Sequence, residues 1–185
     1  MHCDDSDMKI APDRPSELFD LSEGAASAFV REKNNGNMEK ARQLGQSLAR
    51  ELGRRQGGLP YFGVGVFDDA QSLGQRRLLY AYIVSRVIED TAPNSIVAQS
   101  ALSAFYEQIQ RETPEYYAAV TDSAALSLYI LAGRSEPDDY NALGGAFARL
   151  CGREGDPVFQ RYGRELALYF AVKCTQAVLR TQMVR

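Results

Sequence analysis

The sequence predicts a single-domain, all-α bundle of about seven helices, and three observations carry that prediction. Apolar residues recur at helical spacing with charge on the opposite side, most cleanly at Met38, Ala41, Leu44, Leu48 and Leu52. Helix-start signatures, Thr113-Pro114 and Asp156-Pro157, pair a capping side chain with a proline at the first helical position. Finally, Leu78-Leu79-Tyr80-Ala81-Tyr82-Ile83-Val84 carries no charge over two turns, so its helix is apolar on every side and belongs in the centre of a bundle. A short α-helical repeat is the alternative architecture, because Leu-Tyr recurs at 79–80, 128–129 and 168–169, but the flanking residues do not match.

In chain order, residues 1–15 read as an acidic mobile tail broken by Pro12 and Pro15, and residues 16–185 as the helical domain. A first helix over 16–33 ends at Asn34-Asn35-Gly36-Asn37, and a second, capped by Asn37, runs over 38–54. Arg50, Arg54 and Arg55 close it, where cations suit the helix dipole. Residues 57–67 form an apolar loop broken by glycines, read first as a plug over the bundle end and second as a pocket wall. Asp68 or Asp69 then caps the central helix over 69–91, which Pro93 ends.

A fourth helix over 94–112 buries Val97, Ala101, Phe105 and Ile109 and leaves Gln99, Ser103, Glu107 and Gln110 wet. Thr113 caps a fifth helix that reaches Ala132 and stops at Gly133. Ser135 and Asp138 resemble a capping box for a sixth helix, inside which Gly144 and Gly145 mark close helix contact. The last helix runs from Pro157 to about Gln182. It has one apolar face through Tyr162, Leu166, Tyr169, Phe170 and Ala177 and a second through Leu168, Val172 and Leu179, and the second face is available for a subunit contact.

Composition bounds the function. The chain has 185 residues, is 45% hydrophobic and contains no apolar run long enough to span a bilayer. Three widely spaced cysteines argue for a reducing compartment, so the expected location is cytoplasmic. Of the net charge of −3, residues 1–24 hold −5, leaving +2 for the rest and no concentrated basic face for nucleic acid. The single histidine, His2, lies in the tail, which removes histidine-dependent zinc, triad and di-iron sites. No phosphate loop, Cys-x-x-Cys or nucleophile elbow occurs. The paired aspartates at 68–69 and 138–139 are read as caps rather than as magnesium ligands. No catalytic residue, metal or cofactor is therefore assigned.

Asp122 stands out as the only charge between Glu115 and Arg134, among tyrosines and aliphatic residues. A buried carboxylate must be paired or protonated, and Arg76, Arg77 and Arg86 of the central helix are its candidate partners. Together Tyr61, Phe62, Arg77, Tyr80 and Asp122 make the candidate ligand pocket. Cys151 and Cys174 read as inert core thiols. The leading functional expectation is a non-catalytic helical interaction module that binds itself or another protein, with no nucleic-acid or membrane partner. The alternative is a bundle, an enzyme among its forms, that binds a small molecule in a pocket lined by Tyr, Arg and Asp.

Overall fold

The computed structural model describes residues 15–53, 55–56, 59–60, 69–121, 124–135 and 139–184. Among them are eight helices: α1 (Pro15–Asn34), α2 (Asn37–Gly53), α3 (Ala70–Thr91), α4 (Ser95–Glu112), α5 (Pro114–Thr121), α6 (Ala124–Ser135), α7 (Asn141–Leu150) and α8 (Pro157–Arg180). The fold is an all-helical bundle. One minimal antiparallel ladder pairs β1 (Arg55–Gln56) with β2 (Leu59–Pro60).

The centre is α3. Every residue from Leu78 to Val84 is buried, as an apolar circumference requires. Asp69 accepts hydrogen bonds from the Ser72 amide (2.9 Å) and hydroxyl (2.7 Å) and so caps the first turn. Helices α4 to α8 all contact α3, α8 most extensively. The hydroxyl of Tyr80 donates to the Leu48 carbonyl at 3.1 Å, which ties α3 to α2.

Around this centre the helices associate in pairs. The α2–α4 pair is the most extensive and joins the two stripes expected from sequence: Ala41, Leu44, Leu48 and Leu52 against Val97, Ala101, Phe105 and Ile109, all buried. Gly45 allows the approach, since a Cβ there would meet the Ala101 carbonyl and lie 2.9 Å from the Phe105 nitrogen. The α7–α8 pair uses the same device. Gly144 faces the Gln160 carbonyl, and Gly163 lies under the Phe147 ring, which is T-shaped to Tyr162 and near-parallel to Phe159. Gly145, expected to share this role, has open space beside it.

Four local expectations are corrected. The fifth sequence helix comprises two helices, α5 and α6. Thr121, the last residue of α5, hydrogen-bonds back to the Tyr117 and Ala118 carbonyls, as side chains that compete with helical backbone bonds do. Gly133 does not stop a helix; it lies inside α6, where a Cβ would strike the Tyr82 hydroxyl. Ser135 ends α6 rather than opening the next helix, and the turn into α7 is held by Asp139, which accepts from the Asn141 amide at 2.9 Å. The Thr113 hydroxyl donates to Ile109 O at 3.3 Å, so it closes α4 rather than capping α5.

Asn37 also departs from its expected role. It is fully buried, and the Asn35 side chain accepts the Asn37 amide (3.0 Å) at this helix start. The Asn37 side chain instead donates to Glu32 (2.7 Å) and to Val184 O (2.7 Å) and accepts from Val184 N (2.8 Å). Lys40 donates to Gln182 O at 2.8 Å. The α1–α2 turn thereby clasps the segment that follows α8.

Candidate functional site

Of the five residues in the sequence-derived pocket, Tyr61, Phe62 and Asp122 lie outside the described residues, as do residues 1–14, Asp68, Asp138 and most of the 57–67 loop. Tyr80 lines a cleft of about 240 Å³ between α2, α3 and α8, with Glu51, Lys173 and Cys174 beside it. Arg77 is half-buried, and its Nε has no hydrogen-bond partner. It sits near Tyr116, whose buried hydroxyl is likewise without a partner. Burial drives the Tyr116 phenol well above its ordinary pKa and the Arg77 charge opposes that shift. Its neighbour Arg76 is buried and stacks over the Tyr162 ring at 5.4 Å.

A larger concave feature lies elsewhere, on the side of α3 between α4 and α6. It has two lobes that share Leu102, Tyr106 and Leu126. One lobe, of about 590 Å³, lies between α4 and the α5–α6 region and adds Glu107, Tyr117 and Val120 to the shared residues. The other, of about 730 Å³, is floored by α3 through Tyr82, Ser85, Arg86 and Glu89 and walled by Ile130 and Arg134 of α6. The Ser85 and Tyr106 hydroxyls bond to each other at 3.0 Å where the lobes meet. Arg86 approaches Asp90 at 3.7 Å. Burial raises the Tyr106 phenol, with the Glu89 charge adding to the shift. Burial raises Tyr82 also, against the nearby Arg86 guanidinium. A smaller cleft of about 280 Å³ opens between α3, Tyr140 and α8.

These groups can bind and orient a ligand, and they offer weak nucleophiles. Burial pushes the Cys151 thiol up to about 11 and the Cys174 thiol up to about 12, so both are protonated at neutral pH. Among the described residues, no set of three His, Cys, Asp or Glu side chains is grouped to hold a metal.

A second candidate surface is convex. On α8, Phe170, Ala167, Cys174 and Val178 face the core, while Leu168, Val172 and Leu179 point away from it and are 47%, 49% and 66% exposed. Val158 is exposed beside them, and so is Tyr169, which the sequence had placed on the first face with Phe170; Lys173 Nζ lies 5.6 Å from the Tyr169 ring centre. The sequence marked Leu168, Val172 and Leu179 as a second apolar face, whereas the groove between α4 and α6 went unmarked because its α4 wall reads as an ordinary wet side. No protein-family model matches the chain, and neither a curated protein nor a solved structure does.

Proposed function

We propose that this chain is a non-catalytic helical interaction module that pairs with a second copy of itself through the outward face of α8. The observation that carries the reading is that exposed apolar stripe. At 100° per residue Leu168, Val172 and Leu179 fall within about 40° of one another on the wheel, opposite the residues that α8 buries. From Val158 to Leu179 the exposed apolar residues span about 30 Å, of which the continuous part, Leu168 to Leu179, is about 16 Å and suits a two-fold helix pair in which the same patch serves both subunits. Each of these side chains has lost only about half its exposure, so covering it contributes about 1 kcal/mol, counted twice in a symmetric pair. The ion pair of Arg161 with Glu165 (2.9 Å) interrupts the stripe. It leaves a contact weaker than an uninterrupted apolar seam and therefore dependent on concentration.

The reading places the protein in the cytoplasm, where the described free thiols Cys151 and Cys174 stay reduced. No helix among the described residues is long and apolar enough to cross a membrane. Native mass spectrometry with sedimentation analysis tests the pairing. The wild type is expected to show a dimer that grows with concentration. Leu168→Glu and Val172→Glu should be monomeric with unchanged helical circular dichroism, because neither side chain belongs to the core. A wild type that stays monomeric at every concentration, or charged variants that dimerise as well as it does, would defeat the proposal.

A further inference from the structure

We infer that the lobe between α4 and the α5–α6 region is a binding site for a lipophilic organic cation, a compound with an apolar aromatic or alkyl body and one positive charge. The inference is independent of the α8 pairing and rests on three features of the lobe. First, it is an open groove of about 590 Å³, a volume comparable to the roughly 300–1,000 Å³ of small-ligand sites. Second, its lining includes Leu102, Val120, Leu126, Tyr106 and Tyr117, beside uncharged polar side chains of α4 and Thr121. Third, its charge has one sign. Among the described lining residues Glu107 is the only charged side chain, and it makes no ion pair with a described residue.

Phenol faces carry negative electrostatic potential and attract cations, and a carboxylate beside them selects the same sign. Glu89, in the adjoining lobe, extends that field, because its charge acts on the Tyr106 hydroxyl. The groups that oppose it are Arg86 and Arg134, which also lie in the adjoining lobe. Arg86 is partly neutralised by Asp90 at 3.7 Å. Arg134 stands in the last turn of α6, where the helix dipole favours a cation. The hydrogen bond between Ser85 and Tyr106 holds the shared phenol across the floor of α3, so the ring is oriented before any ligand arrives. The ligand's body would lie along Leu102, Tyr106 and Leu126, with its charge over the tyrosine rings toward Glu107.

Rhodamine 6G, a fluorescent lipophilic cation, is the probe, and tetraphenylphosphonium is its non-fluorescent competitor. Titrated against the full chain and followed by anisotropy, the dye should bind saturably and be displaced by the competitor. An anionic dye of similar size, fluorescein, should not bind. Glu107→Gln preserves shape and exposure and should weaken binding about fivefold, the size of one exposed charge interaction at an aromatic site. Leu126→Arg fills the lobe with a like charge and should abolish binding. Val172→Glu, on the α8 face, should leave binding unchanged, which separates this site from the pairing surface. Absence of saturable binding, equal binding of the anionic dye, or affinity untouched by both Glu107→Gln and Leu126→Arg would overturn the inference.

Discussion

The stretch Leu78–Val84 of α3 and the outer face of α8 give the same signal in sequence, and the fold treats them oppositely. Each is an apolar set that extends beyond a single helical stripe. In α3 the whole set is buried, because helices α4 to α8 contact it. In α8 the face that meets α3 and α7 is buried, while Leu168, Val172 and Leu179 stand in solvent. A helix apolar on every side needs neighbours on every side. The chain supplies them at its centre and leaves them missing at its edge. The difference is thus one of position in the bundle, and it separates residues that stabilise the fold from residues available for a partner.

The sharpest way to break the comparison is to truncate one leucine from each set. Leu79 is fully buried, so Leu79→Ala removes apolar contacts and leaves a cavity, and a loss of about 3–4 kcal/mol is expected. Leu168→Ala has no cavity to create and should change monomer stability by less than about 0.5 kcal/mol. Urea denaturation of both variants under monomeric conditions checks the pair. Similar losses would mean that the α8 face already has a partner within the chain.

That contrast also shows what sequence could and could not supply. Periodicity located α2, α3 and α4 and their buried stripes, because amphipathic spacing is local information. A cap at Asp68 or Asp69 and one at Asp156 were legible for the same reason; Asp69 accepts from the Ser72 amide and Asp156 from the Val158 amide, each at 2.9 Å. Glycines were less legible. A glycine that ends a helix and one that admits a neighbouring side chain look alike in a single sequence, so Gly133 read as a stop although it packs under Tyr82. The Asn37 clasp was invisible, since its partner Val184 lies 147 positions away and contributes only backbone atoms. The groove was hidden in a similar way. Tyr106 and Tyr117 were evident as helical tyrosines, but the space between α4 and α6 arises from how both helices sit on α3.

A smaller effect is expected where small residues set helix spacing. A Cβ at Gly163 would lie 2.7 Å from the Phe147 Cβ and 2.8 Å from its ring. Gly163→Ala therefore sets a gain in helix propensity against overpacking. The Phe147 ring is held between Phe159 and Tyr162 and has little room to yield. A net loss of about 1–2 kcal/mol is expected. Gly145→Ala, on α7 with nothing within 4 Å of an added Cβ, should be neutral or slightly stabilising. Thermal melts of the two variants discriminate packing from propensity, and two stabilised proteins would show that α7 and α8 can move apart at no cost.

The smallest effect sharpens the comparison at the other end of α8, where polar contacts rather than apolar ones hold the chain. Glu32 is 3% exposed and accepts from Asn35 (3.0 Å), Asn37 (2.7 Å) and Arg31 (3.2 Å). The Asn35 and Asn37 hydrogen bonds, with Arg31 adding its charge, hold the carboxyl below its ordinary value of 4.5. A lowered folded-state value means that the unfolded chain takes up the proton first. The stabilisation is then complete above pH 4.5 and is lost as pH falls through the lower folded-state value. Glu32→Gln should accordingly be less stable than wild type at pH 7, with the gap closing as pH falls below 4.5 and through the lowered folded-state value. Parallel melts from pH 7 to pH 3 measure that closure. A gap that stays constant across the range would mean that Glu32 contributes shape and hydrogen bonds alone, and that the clasp owes nothing to its charge.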